Sequence, residues 1–353
     1  MEKVSKVWQG NTIGLDVGDR NSSICVLDAD GEVIEESVIR TTRIAIQSRF
    51  GGRERMRVVL ETGTHANWLY DELEGLGHEV VVANARRVRA ICEADQKNDR
   101  SHAEQLARLG RADKRLLSPV DPRSLETRTD LEVVRARAQL VAIRTQLVNH
   151  VRGAVKPMGA RMPKCSTESF HKLELPSELA AELKPLMELL KATNAAIEEY
   201  DDRITKLAEE RYPQTTVLRQ VKGVGPITSL CFVLTIGNPG RFKDSRRVAA
   251  YFGLTPRQRH SGQSDPQLRI TKSGDSMMRT LLVQCAQHIL RRSSPDTALK
   301  RFGTRLAKRG GKTPEQRAAV ATARKLSVLL LALWKNGEQY EPLRGSSMNP
   351  SKC

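Results

Sequence analysis

Residues 12–33 read TIGLDVGDRNSSICVLDADGEV, and the fold class is decided there. TIGLDVG is a strand that stops at Asp16 and Gly18. SSICVLDADGE and VIEESVIRT follow as two antiparallel strands. Asp30 and Gly31 form the hairpin turn, since glycine takes the left-handed backbone that tight turns need. Beyond this meander, MRVVLETG supplies a buried fourth strand ending at Glu61. HANWLYDELEGLG is a helix closed by Gly77, HEVVVANA a fifth strand and DRSHAEQLARLGR another helix.

Hairpin strands followed by alternating strand and helix give the RNase H-like order. Residues 1–123 are therefore expected to be an α/β RNase H-like domain. Such folds gather ligands at the carboxyl ends of strands, where Asp16 and Glu61 fall. Asp99 and His102 are three residues apart and share one helical face. Carboxylates are hard donors suited to Mg2+, with Mn2+ as the alternative. An imidazole can ligate or orient water. Singly, an Asp after a strand is commonly a turn residue and a helical His is commonly solvated. As an ordered set, Asp16, Glu61, Asp99 and His102 read as a metal site for in-line displacement at a phosphodiester.

Composition narrows the partners. The 353 residues carry a net charge of +17 and a pI near 9.9, which predicts a polyanionic partner through counterion release. Only 4% of residues are aromatic, so base stacking on rings is not the main grip. The cysteines at 25, 92, 165, 231, 285 and 353 include no CxxC pair, and no His pairs with them at zinc-finger spacing. They read as reduced core thiols of a cytoplasmic protein. The first ten residues are polar, unlike a signal peptide, and LSVLLLALW is too short to span a bilayer. No membrane partner is expected.

Residues 124–212 carry long helical patterns. Leu131, Val134, Ala138, Val141, Thr145 and Val148 recur at alternating spacings of three and four, as do Leu179, Leu183, Leu186, Leu190, Thr193, Ile197, Tyr200, Ile204 and Leu207. This heptad seam is either an intramolecular hairpin or a coiled-coil oligomerisation segment. Residues 213–345 form a third, mostly α unit, ahead of a tail at 346–353. VKGVGPITSLCFVLTIG opens it with a glycine turn before an apolar helix. This is a helix-hairpin-helix-like element with backbone N–H groups suited to a DNA phosphate, or simply a tight turn between packed helices. Arg291, Arg292, Lys300, Arg301, Arg305, Lys308, Arg309 and Lys312 crowd the following region and favour phosphate contact.

The opening also resembles the first phosphate loop of actin-like sugar kinases. The second phosphate loop and the adenosine motif of those enzymes are missing, and a sugar kinase has no use for +17. A closer resemblance covers nearly the whole chain: it resembles transposases of the IS110 insertion-sequence family. GLDVG, the strand-end ETG and KNDRSHAEQLA resemble that family's RuvC-like domain with its DEDD set. VKGVGPITS, RFKDSRRVAAYFGLTP, RHSG and ITKSGDSMMRTLL resemble its C-terminal transposase domain. The resemblance implies a composite site, in which metal-binding acids of one protomer meet a serine nucleophile of another. That serine is Ser261, followed by Gly262, and only the motif match separates it from Ser264 and Ser273.

A phosphoseryl–DNA link conserves bond energy, so strands can be rejoined without ATP. Arg257, Arg259, Arg269 and Lys272 lie around the motif and are expected to stabilise phosphoryl charge, with Arg279 as a further nucleic-acid contact. His260 is a candidate base of lower weight. The fourth acidic position departs from the family pattern, since His102 stands there instead of Asp. The resemblance also implies a structured bridge RNA that pairs with donor and target DNA, leaving the protein to read backbone and shape. A dimeric or tetrameric homo-oligomer in the bacterial cytoplasm, associated with the nucleoid, completes the expectation. The rivals are a RuvC-like junction endonuclease acting by hydrolysis and a non-catalytic nucleic-acid-binding protein.

Overall fold

The computed structural model describes residues 8–86, 88, 99–258 and 268–344. The chain divides into two compact units, Met1–Ser124 and Leu125–Cys353. In the first, β1 (Thr12–Val17), β2 (Asn21–Leu27) and β3 (Val33–Arg40) make an antiparallel meander. β4 (Arg57–Glu61) and β5 (Glu79–Ala83) add in parallel on the other side of β1, giving the order β3-β2-β1-β4-β5. This mixed sheet with its helices fits the expected RNase H-like domain. The turn between β2 and β3 is tied by the Asp28 carboxylate, which accepts from the backbone N–H groups of Asp30, Gly31 and Glu32. Gly31 sits at φ +93°, where a side chain would be strained.

Side-chain alternation divides the sheet into two faces. Ile13 and Leu15 of β1 and Val58 and Leu60 of β4 turn to one face. There they pack with Ile46 and Phe50 of α1 (Arg43–Phe50) and Leu69 and Leu73 of α2 (Ala66–Gly75). The sequence reading assigned no element to residues 43–50. Only Ile46 and Phe50 of that helix are buried, too few for a clear periodic signal. Thr42 caps it by accepting from the Ala45 N–H. The opposite face of the sheet receives α3 (Asp99–Ala112) through Ala103, Leu106 and Ala107.

In the second unit, α4 (Leu125–Ala154) and α5 (Ala180–Glu210) run antiparallel as a hairpin within one chain. Arg211 donates to Asp130 at 3.0 Å near its base, Arg137 pairs with Asp201 at 2.7 Å, and Arg144 reaches Asn194 at 3.2 Å further along. Leu131, Val134, Ile204 and Ala208 at the base join the core of the helices that follow. Within the chain the seam is buried at Leu131, Val134, Val148, Leu183, Leu190, Thr193, Ile197 and Ile204, whereas Ala138 and Val141 are half-buried and Thr145 is exposed.

After the hairpin come α6 (Thr215–Arg219), α7 (Pro226–Ile236), α8 (Arg247–Tyr251), α9 (Ser276–Ile289), α10 (Ala298–Ala307) and α11 (Pro314–Asn336). Every residue of α7 from Thr228 to Ile236 is buried, so this helix is the centre of the unit. The glycine turn ahead of it has Gly223 at φ +97°, beside His288 and Ile289. LSVLLLALW lies within α11, and no helix among the described residues is long and apolar enough to cross a membrane.

Candidate active site

Two-residue periodicity places the first-unit site. Thr12, Gly14 and Asp16 share one face of β1, and Arg57, Val59 and Glu61 share the same face of β4. This is the face on which α3 lies. Leu15 pairs with Leu60 across the two parallel strands, so Asp16 and Glu61 are the next residues along adjacent strands. The helix runs opposite to these strands. Gly14 lies under Ala103 and Ala107, and Gly110 lies over Val59. A Cβ at Gly14 would come 1.8 Å from the Ala103 carbonyl oxygen, and one at Gly110 would come 2.3 Å from Val59 Cγ2. At Gly14 helix and sheet therefore meet backbone to backbone, and at Gly110 the helix backbone rests on the Val59 side chain.

The far end of α3 is tied as well. Arg57 Nη1 donates to the Gly110 carbonyl at 2.9 Å, and Arg57 Nη2 lies 3.1 Å from Glu79 Oε2. Arg108 and Arg111 donate to Gly31 and Ala29 carbonyls in the β2–β3 turn. These contacts present the first turn of α3 to the strand ends. His102 Nε2 lies 3.0 Å from Glu61 Oε1, with about a fifth to a quarter of each side chain exposed. Asp99 is the first residue of the same helix, and its side chain lies outside the described residues.

A cleft of about 270 Å3 opens here, lined by Asp16, Asp19, Glu61, Thr62, Gly63 and His65 among others. Sequence reasoning did not single out His65. The Trp68 indole N–H donates to its Nδ1 at 3.0 Å, and Asp19 lies 3.2 Å from its Nε2. An indole nitrogen only donates, so the neutral ring carries its proton on Nε2 and offers it to Asp19. The spacing from Glu61 to His65 carries no periodic signal, since the two residues lie on a strand end and at a helix cap.

Ser261, together with Arg259, His260, Gly262 and Ser264, lies outside the described residues. The chain on either side of that segment forms a short antiparallel pair. Pro256 bridges Ile270, the Arg257 N–H donates to the Arg269 carbonyl at 3.0 Å, and the Thr271 N–H donates to Thr255 at 2.9 Å. The base of the pair is braced by backbone contact. A Cβ at Gly253 would meet the Ser273 carbonyl oxygen at 2.1 Å, and one at Gly274 would meet that of Tyr251 at 1.9 Å. Arg257, Arg269 and Lys272 are exposed on this pair. Arg279 is half-buried, and its guanidinium donates to the Phe252 carbonyl at 3.1 Å, holding the base of the pair.

Comparison with known proteins shows the family. Residues 13–158 match a transposase family of the DEDD type found in IS110 elements, and residues 215–301 match the "Transposase IS116/IS110/IS902 family". The transposase for insertion sequence element IS1111A of Coxiella burnetii is 30% identical over 93% of this chain and 90% of its own length. A probable family 20 transposase of Pseudomonas aeruginosa is 28% identical over 94% of this chain and 98% of its own. The transposase of element IS1328 from Yersinia enterocolitica is 26% identical over 79% and 84%. The chain belongs to the IS110 family of insertion-sequence transposases. Membership implies an enzyme that cuts and rejoins DNA, and the DEDD domain suggests use of a divalent metal in general.

Among the described residues no group of three or more His, Cys, Asp and Glu is gathered tightly enough to form a metal cage. The donor chemistry nevertheless fits a hard cation. Two carboxylates stand at neighbouring strand ends, and an imidazole is 3.0 Å from one of them.

Proposed function

We propose that this chain is a bridge-RNA-guided recombinase. It cuts and rejoins donor and target DNA through a phosphoseryl–DNA intermediate at Ser261. Asp16, Glu61, Asp99 and His102 would hold Mg2+, with Mn2+ as a substitute. The observation that supports this most is the placement of Asp16 and Glu61 on one sheet face beneath the helix that delivers His102. A bound divalent cation would supply charge stabilisation for the phosphoryl oxygens and activate an oxygen nucleophile.

The protein's own groups do the rest. Glu61 and His102 hold each other in position through their contact. The Ser261 hydroxyl attacks phosphorus, forming an Oγ–P ester while the P–O bond to the departing strand breaks. The serine proton passes to a base or to solvent, and the departing oxygen leaves as a hydroxyl. Attack by an incoming strand hydroxyl reverses these steps and frees the serine. Arg257, Arg259, Arg269 and Lys272 supply positive charge along this segment. Sequence choice rests with RNA pairing, in keeping with +17 and few aromatic residues. The protein acts as a dimer or tetramer.

The test is a Mg2+-dependent cleavage assay with RNA transcribed from both element flanks and matching donor and target DNA. A DNA band retarded until protease treatment, and missing in Ser261→Ala, is the expected result. Cutting that ignores protease and survives Ser261→Ala would instead assign a hydrolytic junction nuclease. In either case His102→Ala should weaken divalent-ion affinity by about 10- to 100-fold, read by Mn2+ binding without DNA.

A further inference from the structure

The second unit contains a groove of about 600 Å3 that shares Arg269 and Lys272 with the proposed chemistry but whose aliphatic floor that chemistry does not use. Its volume lies within the roughly 300–1,000 Å3 range of small-molecule sites. One wall is the antiparallel pair that flanks the Ser261 segment, contributing Leu254, Pro256, Leu268 and Ile270. The other wall is α10 and α11, contributing Leu306, Val320 and Ala321. The interior is thus mainly aliphatic. The rim is not: Arg269, Lys272, Arg309, Arg317 and Arg324 line it, all exposed, and among the described residues the lining includes no acidic one. None of the five has a salt-bridge partner among those found for the described residues.

We propose that this groove receives one unstacked nucleobase of a nucleic-acid strand, with the flanking phosphates on the arginine rim. The argument is one of complementarity. An intact duplex offers phosphates to the rim and leaves the aliphatic floor without a partner. A neutral apolar ligand satisfies the floor and leaves five cations facing nothing. An everted nucleotide satisfies both, because it pairs an apolar planar face with an anion on each side. Guanidinium planes at the rim can also stack on a base, which suits a chain with few aromatic residues. The chain enters and leaves the Ser261 segment through one wall of the groove. If the proposed serine chemistry holds, the seated base belongs to a nucleotide near the reacting phosphate, and only that adjacency depends on it.

The proposal is tested with the full chain and short DNA duplexes carrying one unpaired 2-aminopurine. A base removed from the stack into an aliphatic groove should brighten several-fold on binding. Ala321→Leu narrows the floor and should abolish the brightening while leaving the melting temperature unchanged. Arg317→Glu should weaken binding about tenfold at low salt. An abasic site at the same position should also bind more weakly than the base. Ser261→Ala should keep the full signal, so failure of the covalent chemistry would leave this result standing. Brightening that persists in both groove variants would overturn the proposal, as would abasic and intact duplexes of equal affinity. Displacement of unchanged duplex contacts by an acidic amphipathic peptide would overturn it in favour of a protein-docking groove.

Discussion

The two units bring their chemistry into place by the same physical means but on different supports. In the first, Gly14 and Gly110 let a helix lie close against β1, β2 and β4, and the candidate site residues ride on regular elements. In the second, Gly253 and Gly274 let the end of the short helix α8 and the turn after it touch the irregular chain at residues 272–274, and the chain on either side of the Ser261 segment runs from that junction. Ligands that must share a cation profit from supports that resist each other's movement. On the proposed reading, the serine that reaches a strand of DNA is carried between two braced stretches of chain instead.

Substitution tests this contrast. Gly14→Ala should have the largest effect, because the new Cβ meets Ala103 and Ala107 backbone within 2.8 Å on two closed surfaces. A loss of at least about 3 kcal/mol in denaturant unfolding is expected, with cleavage abolished in what remains folded. Gly274→Ala should cost less, about 2–3 kcal/mol, although it combines a 1.9 Å contact with a φ of +85°. Its neighbours are the last residue of the short helix α8 and the turn that follows it, which have more room to shift than a helix laid on a sheet. If Gly274→Ala proved the costlier change, the contrast between rigid and adjustable supports would be wrong.

Tyr212→Phe probes the base of the hairpin. The Tyr212 hydroxyl donates to Asp130 at 2.7 Å, and Arg211 donates to the same carboxylate. Removing the hydroxyl should cost about 1 kcal/mol at neutral pH. Burial, then the hydrogen bond to Asp130, pushes the Tyr212 hydroxyl up to about 12. The unfolded chain ionises near 10, so the native state holds this proton more tightly. The contribution is complete below pH 10 and is lost as pH rises through about 12. Alkaline unfolding of wild type and Tyr212→Phe should converge over that interval. Gly77→Ala should be the mildest change, near 1 kcal/mol in thermal melting, because its φ of +91° is strained for alanine while its Cβ would meet nothing within 4 Å.

Much of the first unit was legible because its signals are local. TIGLDVG, the Asp–Gly turn and MRVVLE each mark an element without help from elsewhere, and strand alternation puts Asp16 and Glu61 on one face. The partner of that face was not legible. That Gly14 serves helix contact, and not strand curvature, depends on a helix that starts 85 residues later. His65 was missed for the same reason, since Trp68 and Asp19 give it meaning only once folded. In the second unit the heptad pattern could not tell one chain from two, because a seam looks the same whichever helix fills it. Arg279 shows the converse limit. It was expected to contact nucleic acid, and the structure adds a role its charge does not announce, with Nη1 donating to the Phe252 and Ser273 carbonyls.

The contact between Gly14 and α3 also bears on how such a protein can change over generations. A methyl group is the smallest addition available at residue 14, and even that does not fit. The separation of helix and sheet is therefore quantised: no series of small substitutions widens it gradually. The identity of what the helix carries is not restricted in this way. His102, which the proposed reading sets at the fourth position of the DEDD pattern, reaches Glu61 at 3.0 Å from a helix seated on Gly14. The fold thus has a free axis and a locked one: the donor presented at residue 102 can be exchanged without touching the Gly14 contact, which fixes the spacing.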